Sequence, residues 1–385
     1  MYLDNAATSF PKPECVAAAV EHWLRHGAAS AGRGSHRSAE DAARMVDDAR
    51  RRIAALIGTR QPEQVVWTFN GTDSLSTVLN GFLRPGDCVL ASTLDHNSVL
   101  RPLHALQQQR DLVVEYIEFD PLTGELDVEE FERRLRGPAV RLVVLNHASN
   151  VTGTVQPIER MAALAASNGA AVLMDAAQTL GHEPLSVDQL PVDFVAAPGH
   201  KGLLGPLGTG VLWIRPGREQ ELLPLRYGGT GTASESLEQP STMPARFESG
   251  NLNLPGIAGL CAALEWLADE GLLKVRERVN SLTVQLASGL TDIPGVNVMA
   301  PQSPSRCGLV SFTISGLDCR DAAMILDQSF DIQCRAGLHC APLAHRRLGT
   351  LEQGGTIRLS PGVFTTTDDI DRAIAAIHQI AASVR

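Results

Sequence analysis

The sequence predicts an α/β fold, a large domain built on a mostly parallel sheet followed by a smaller α+β domain, and three observations carry that prediction. From about residue 38 to 215, helical periodicity alternates with short β-rich apolar runs. Several of those runs are apolar on both faces, which suits strands buried in the interior of a sheet that helices cover on each side. After residue 255 the alternation gives way to long helical segments with few strand candidates. A layered sheet of this kind places functional residues just past the C-terminal ends of its strands.

In chain order, Ser38 is expected to cap a helix through about residue 56, with Asp41 near its N-terminus to complement the helix dipole. Residues 65–69 read as a strand, 70–72 as a turn and 73–82 as a helix. Further strands are expected at 88–91, 113–117, 141–145, 171–174, 194–196 and 210–214, which makes seven with the first. Residues 225–255 are rich in Gly, Ser, Thr and Pro and lack a period, so a loop-rich connector with a binding role is expected there. Helices at 256–269 and 273–290, strands at 309–314 and 356–359, and a last helix at 368–382 complete the smaller unit. The expected division is residues 1–14 as a segment joining the small domain at the mouth of the site, 15–255 as the large domain and 256–385 as the small one.

A chain of 385 residues with 44% apolar content can bury a large core. Its formal net charge of -10 argues against a polyanion-binding surface, so no direct nucleic-acid binding is expected. The first residues show no basic segment followed by an apolar one, and no stretch is apolar for long enough to span a bilayer. A cytoplasmic chain without a membrane partner is the expectation. The seven cysteines are scattered and contain no Cys-x-x-Cys pair, which fits reduced, mostly buried thiols and no metal site.

Lys201 is the most informative residue. It follows Gly199-His200, and Asp175-Ala176-Ala177-Gln178 lies twenty-six residues earlier, after a predicted strand. A lysine amine forms a Schiff base with an aldehyde cofactor, and a carboxylate at the far end of a pyridine ring keeps the ring nitrogen protonated, so that the ring accepts electrons. The pair points to pyridoxal 5'-phosphate. Gly71, Thr72 and Asp73 sit at a strand-to-helix junction whose backbone N–H groups suit a phosphate, with the Asp73 N–H contributing while its carboxylate turns away. An ordinary turn is the plain alternative for that segment. His96 can stack on a ring or move a proton, or can be a satisfied core histidine. Asn150 and Gln178 follow predicted strands and offer hydrogen bonds to a phenolic oxygen. Cys340, flanked by Arg335 and His339 that would favour a thiolate, is a candidate nucleophile toward sulfur, with Cys334 a competing thiol expected to be buried. Arg358 offers a planar fork for an α-carboxylate, or else makes a surface salt bridge.

Together these residues resemble the cysteine desulfurase and selenocysteine lyase branch of the class V aminotransferase superfamily, among fold type I pyridoxal phosphate enzymes. The resemblance runs almost end to end through Tyr2-Leu3-Asp4-Asn5-Ala6-Ala7, Asn70-Gly71-Thr72, His96, Ser149-Asn150-Val151-Thr152-Gly153, Asp175 to Gln178, Gly199-His200-Lys201, Arg246-Phe247-Glu248-Ser249-Gly250, Arg335-Ala336-Gly337-Leu338-His339-Cys340 and Arg358. The short cysteine segment looks like the second desulfurase group. The resemblance implies that Lys201 is the Schiff-base lysine, that Asp175 faces the pyridine nitrogen and that His96 lies on the ring face. It puts Asn150 and Gln178 near the phenolic oxygen and Thr72, Asp73 and His200 near the phosphate. It makes Cys340 the sulfur acceptor, and Arg358, with Asn150, Ala7 and His36, the substrate site. It also implies a homodimer in which Asn251 of a neighbouring subunit reaches the phosphate. Pro198, Asp73, Asn251 and Leu338 depart from the family pattern, which usually has serine, threonine, threonine and histidine there.

The reaction implied is conversion of L-cysteine to L-alanine with a persulfide on Cys340 for a protein sulfur acceptor. Two alternatives stay open at this stage. One is a lyase acting on L-selenocysteine or another sulfur amino acid, in which Cys340 is not essential. The other is a non-catalytic pyridoxal phosphate-binding scaffold for sulfur delivery.

Overall fold

The computed structural model describes residues 1–27, 29–32 and 34–384. Its larger unit opens with helices α1 (Glu14–His26) and α2 (Arg37–Leu56) and then alternates β1 (Val65–Thr68), α3 (Gly71–Phe82), β2 (Cys88–Ser92), α4 (Asn97–Arg110), β3 (Val113–Ile117), α5 (Val128–Leu135), β4 (Val140–Asn146), α6 (Ile158–Ser167), β5 (Ala171–Asp175), β6 (Phe194–Pro198) and β7 (Gly210–Ile214). The seven strands form one sheet in the order β1-β7-β6-β5-β4-β2-β3. β7 runs antiparallel to both neighbours and the other four pairings are parallel. All seven expected strands are present, because runs apolar on both faces have no stable place except between two helical layers. β4 shows the rule: Val143 and Leu145 pack with α2 and α6 on one face, and Leu142 and Val144 pack with α3 and α4 on the other.

After the connector come α7 (Leu254–Glu270), α8 (Leu272–Thr291), β8 (Val296–Val298), β9 (Val310–Ile314), α9 (Cys319–Phe330), β10 (Arg335–Gly337), α10 (Pro342–Arg347), β11 (Thr356–Leu359) and α11 (Thr367–Ser383). The strands make an antiparallel sheet in the order β10-β11-β9-β8, covered by apolar residues of α8, α9 and α11. The boundary expected between residues 255 and 256 is corrected here. It falls inside α7, whose Leu254, Ile257, Leu260 and Leu264 are buried in the core of the larger unit. The chain crosses to the smaller unit at Gly271, whose φ of 82° breaks the helix. The first residues belong to both units: Leu3 is buried in the smaller core, Tyr2 and Asp4 bridge to Gln333 and Ser360, and the Ser9 N–H donates to the His200 carbonyl of the larger unit at 3.0 Å.

Helix starts differ from expectation where capping chemistry was misread. Ser38 lies inside α2, and His36 occupies the cap position without a side-chain cap bond. Asn70, read as part of a turn, caps α3 by accepting the Asp73 N–H, so residues 71 and 72 are already helical. The connector is tied to β1 by a buried ion pair. Arg50 bonds both carboxylate oxygens of Glu248 at 2.9 and 3.1 Å, and Glu248 also accepts the Trp67 N–H at 2.7 Å. Removing one partner of such a pair strands a buried charge, at a cost of about 3–5 kcal/mol.

Candidate active site

The C-terminal ends of β4, β5 and β6 bring Asn146, Asp175 and Pro198 to one edge of the sheet, where Asn146 and Asp175 are direct neighbours in register. A cavity of about 210 Å³ opens there. It is lined from the larger unit by Gly71, Thr72, His96, Asn150, Asp175, Gln178, His200 and Lys201. The N-terminal segment adds Ala6 and Ala7, and the smaller unit adds Arg335, His339 and Arg358. Ten of the expected site residues therefore meet around one space, although they are spread over more than 350 positions of sequence.

Burial dominates the electrostatics. Lys201 is enclosed, and desolvation with help from the nearby Arg358 charge lowers its amine to about 8, Asp175 pulling the other way. Among the described residues its amine has no hydrogen-bond or ion-pair partner. Asp175 accepts the Ala177 N–H at 2.9 Å, yet burial raises its pKa against the opposing pull of that bond and of the Lys201 charge. His96 caps α4: its Nδ1 accepts the Ser98 N–H at 3.0 Å, which leaves the ring proton on Nε2. Burial, then the charges of Lys201 and the nearby arginines, lowers His96 to about 4, so it is neutral at ordinary pH. The Asp95 carboxylate, next in sequence, accepts the Ser92 N–H at 2.7 Å and the Ser92 hydroxyl at 3.1 Å; burial pushes it up to about 7.

Arg358 is not on the surface. It is 1% exposed, and its guanidinium donates to Asp4 at 2.9 Å and to the Asn150 carbonyl at 3.1 Å while its Nε is buried without a partner. Asp4 was invisible as a site residue because 354 positions separate the pair. Arg335 lies directly opposite Arg358 in the β10–β11 register. The two strands approach so closely that a Cβ on Gly355 would collide with the Gly337 carbonyl, and Gly355 also needs its φ of +110°.

Cys340 sits half-buried in the turn after β10, next to cavity-lining His339. Both residues have left-handed backbone, with φ of 47° and 58°. Two bonds pin that strained turn to the site: Asn150 Nδ2 donates to the His339 carbonyl at 2.6 Å, and the Asn97 N–H donates to the Cys340 carbonyl at 2.7 Å. The expected activation of the thiol by His339 is corrected. Burial lowers His339 to about 2, so it is an uncharged ring hydrogen-bonded to Thr356 at 3.0 Å, and Arg335 is the cation on that segment. Cys334 is half-buried, and desolvation pushes its thiol up to about 12.

Two expected contacts within the chain are not made. His36 is exposed at the start of α2 and does not line the cavity. Asn251, expected to serve a neighbouring subunit, lines a separate cleft of its own chain with Phe69, Gly208 and Arg226. Asp73 is turned out of the site, and its N–H is already taken by Asn70 Oδ1 at 2.9 Å, so it has no donor left for a phosphate. Reasoning from sequence missed Ser98 and Asn146 as site residues, and Pro198, noted there only as a departure from the family pattern, also lines the cavity. The signal for Asn146 was a polar residue ending a buried strand, the same signal that singled out Asp175.

The cavity suits pyridoxal phosphate on the observed chemistry. Among the described residues, a buried carboxylate without an ion pair and an uncommitted amine face the same space, His200 Nδ1 is buried without a partner, and the N–H groups of Gly71 and Thr72 at the start of α3 find no acceptor. Fold and site together define a fold type I pyridoxal phosphate enzyme. The aminotransferase class-V family model matches residues 1–373, and the chain belongs to that family. It is 34% identical to a probable cysteine desulfurase of Methanothermobacter thermautotrophicus, over 99% of this chain and 94% of that one. It is 32% identical to a cysteine desulfurase of Escherichia coli K12, over 98% and 93%. The apo structure of a cysteine desulfurase from Thermococcus onnurineus NA1 superposes with a TM-score of 0.92 at 31% identity, covering 100% of this chain and 95% of that chain. The cysteine desulfurase CsdA from Escherichia coli gives 0.88 at 29% identity, covering 100% and 94%.

Capture of the cofactor by the apoprotein should follow the Lys201 amine. Only the uncharged amine attacks an aldehyde, so the rate rises as pH increases through about 8. Stopped-flow absorbance after mixing with pyridoxal phosphate reads this directly, and a rate still climbing above pH 10 would contradict the burial of Lys201.

Proposed function

We propose that this protein is a pyridoxal phosphate-dependent cysteine desulfurase that converts L-cysteine to L-alanine, holds the sulfur as a persulfide on Cys340 and passes it to a protein acceptor. The observation that carries the reading is the pinned turn: the amide of Asn150, inside the cavity, holds the backbone that presents Cys340.

When bound, the cofactor would supply an aldehyde for the substrate amine and an electron sink for the α-carbon. Asp175 would supply the negative charge that keeps the ring nitrogen protonated, and Gly71, Thr72 and His200 would hold the phosphate. Arg358, already oriented by Asp4, binds the substrate carboxylate. The Lys201 amine would take and return the proton at the α-carbon. His96 presents its Nε2–H to the cavity without gaining charge. The Cys340 thiolate attacks the substrate sulfur, an S–S bond forms as the C–S bond breaks, and the carbon takes a proton. Cysteine and one protein thiol thus become alanine and one protein persulfide, and no outside oxidant or reductant enters.

Exposed Phe69, Leu207 and Tyr227 lie on or near the cleft that holds Asn251, a surface that favours burial against a second copy of the chain in a homodimer. Among the described residues no helix is long and apolar enough to cross a membrane, and seven unpaired thiols fit the reducing cytoplasm.

The test is alanine release from L-cysteine by the purified, cofactor-loaded protein, with L-selenocysteine in parallel. Alanine from cysteine without any partner supports the reading, and alanine from selenocysteine alone would redirect it to a lyase. Arg358→Ala should raise the KM for cysteine by about 10- to 100-fold with a smaller change in kcat, since it removes a charged bond made in both ground and transition states. An unchanged dependence on cysteine concentration would remove its role in binding the carboxylate.

A further inference from the structure

We infer that Arg226 is a positioning residue for the cofactor phosphate: it cancels the carboxylate that Asp73 places at the phosphate end of α3. The inference rests on the pyridoxal phosphate reading of the cavity. Asp73 is the third residue of α3, immediately after Gly71 and Thr72, whose free N–H groups line the cavity. A carboxylate there favours the helix dipole but repels a phosphate dianion bound to the same turn.

The structure shows how that charge is handled. Arg226 grips both oxygens of Asp73, at 2.7 and 3.1 Å, and the Phe69 N–H binds the second oxygen at 2.9 Å. The Asp73 side chain is left 11% exposed. The Arg226 guanidinium also lies 5.0 Å from the centre of the Phe69 ring, and the Arg226 carbonyl accepts the Ser249 hydroxyl at 3.2 Å. One residue therefore neutralises Asp73, holds the turn between β1 and α3, and fastens the connector to the end of the helix that receives the phosphate. Two planar donors on two oxygens make a geometry that lysine cannot reproduce.

The experiment is a cycle of Arg226→Gln, Asp73→Thr and the double variant. Fluorescence titration of the apoproteins with pyridoxal phosphate reads cofactor affinity without any turnover. Arg226→Gln should weaken binding by roughly 10-fold or more, and adding Asp73→Thr should return most of that loss, a coupling that two independent sites would not show. Pyridoxal, which lacks the phosphate, should bind wild type and Arg226→Gln alike. Equal phosphate affinity in wild type and Arg226→Gln would overturn the inference, as would a double variant no tighter than Arg226→Gln. Thermal melts of the apoproteins check folding, and if Arg226→Gln fails to fold, Arg226→Lys takes its place, with a smaller loss that Asp73→Thr also relieves. If wild type itself does not bind pyridoxal phosphate, the cofactor reading falls, a result distinct from failure of the pair.

Discussion

Lys201→Ala should abolish both alanine formation and the visible absorbance of the Schiff base between protein and cofactor, with turnover falling by at least ~10³-fold. Two roles are lost together. The variant has no amine to bond the aldehyde, and no base at the substrate α-carbon. No other lysine lines the cavity. Lys12, the nearest rival by its altered amine, is lowered to about 8 by burial but is spent on Ser9, at 3.2 Å to its carbonyl and 2.9 Å to its hydroxyl. The cofactor should still associate without a covalent bond, since Asp175, Gly71, Thr72 and His200 remain. A Lys201→Ala protein that kept the visible band and turned over cysteine would refute the assignment, and the spectrum and alanine assay are read on one sample.

Cys340→Ala should lower alanine release from L-cysteine by at least ~10²-fold and leave no persulfide on the protein, while cofactor binding and the visible spectrum stay as in wild type. The separation is expected because Cys340 does not line the cavity, whereas the residues that pin its turn do. Alanine adds no backbone penalty beyond the one cysteine already pays at a φ of 58°, so the change isolates the thiol. Cys334→Ala is the control and should leave activity intact, its thiol being held protonated to about 12. Equal alanine from wild type and Cys340→Ala would shift the reading to a lyase that needs no protein nucleophile. Mass spectrometry after cysteine treatment, before reductant is added, counts the persulfide directly.

Much of the large sheet was legible in the sequence: residues 113–117 and 210–214 match their strands end to end, as do 356–359 in the smaller sheet. β8 and β10, three residues each, were not, because so short a run carries no period. The helix start at Gly71 was missed for a related reason: Asn70 looks like a turn residue whether or not it caps, and only the bond it accepts tells the two apart. His36 was carried over from a family pattern, and Asp73 was read from the strand-to-helix junction as well as from that pattern. A pattern gives neighbours along the chain, not the direction of a side chain. Asp73 points away from the cavity because Arg226, 153 positions on, draws it there.

What the sequence determined by itself was the layered fold and the pairing of Lys201 with Asp175. Those follow from local apolar periodicity and from a reaction that needs an amine and a carboxylate at opposite ends of one ring. Tertiary structure alone decided the charges and the partners. It buried Arg358 against Asp4, left His339 neutral beside Cys340, lowered Lys201 toward neutral pH and cancelled Asp73 with Arg226. The physical reason is that ionisation and ion pairing depend on how much water remains and which charges stand within a few ångströms, and residues hundreds of positions apart set both.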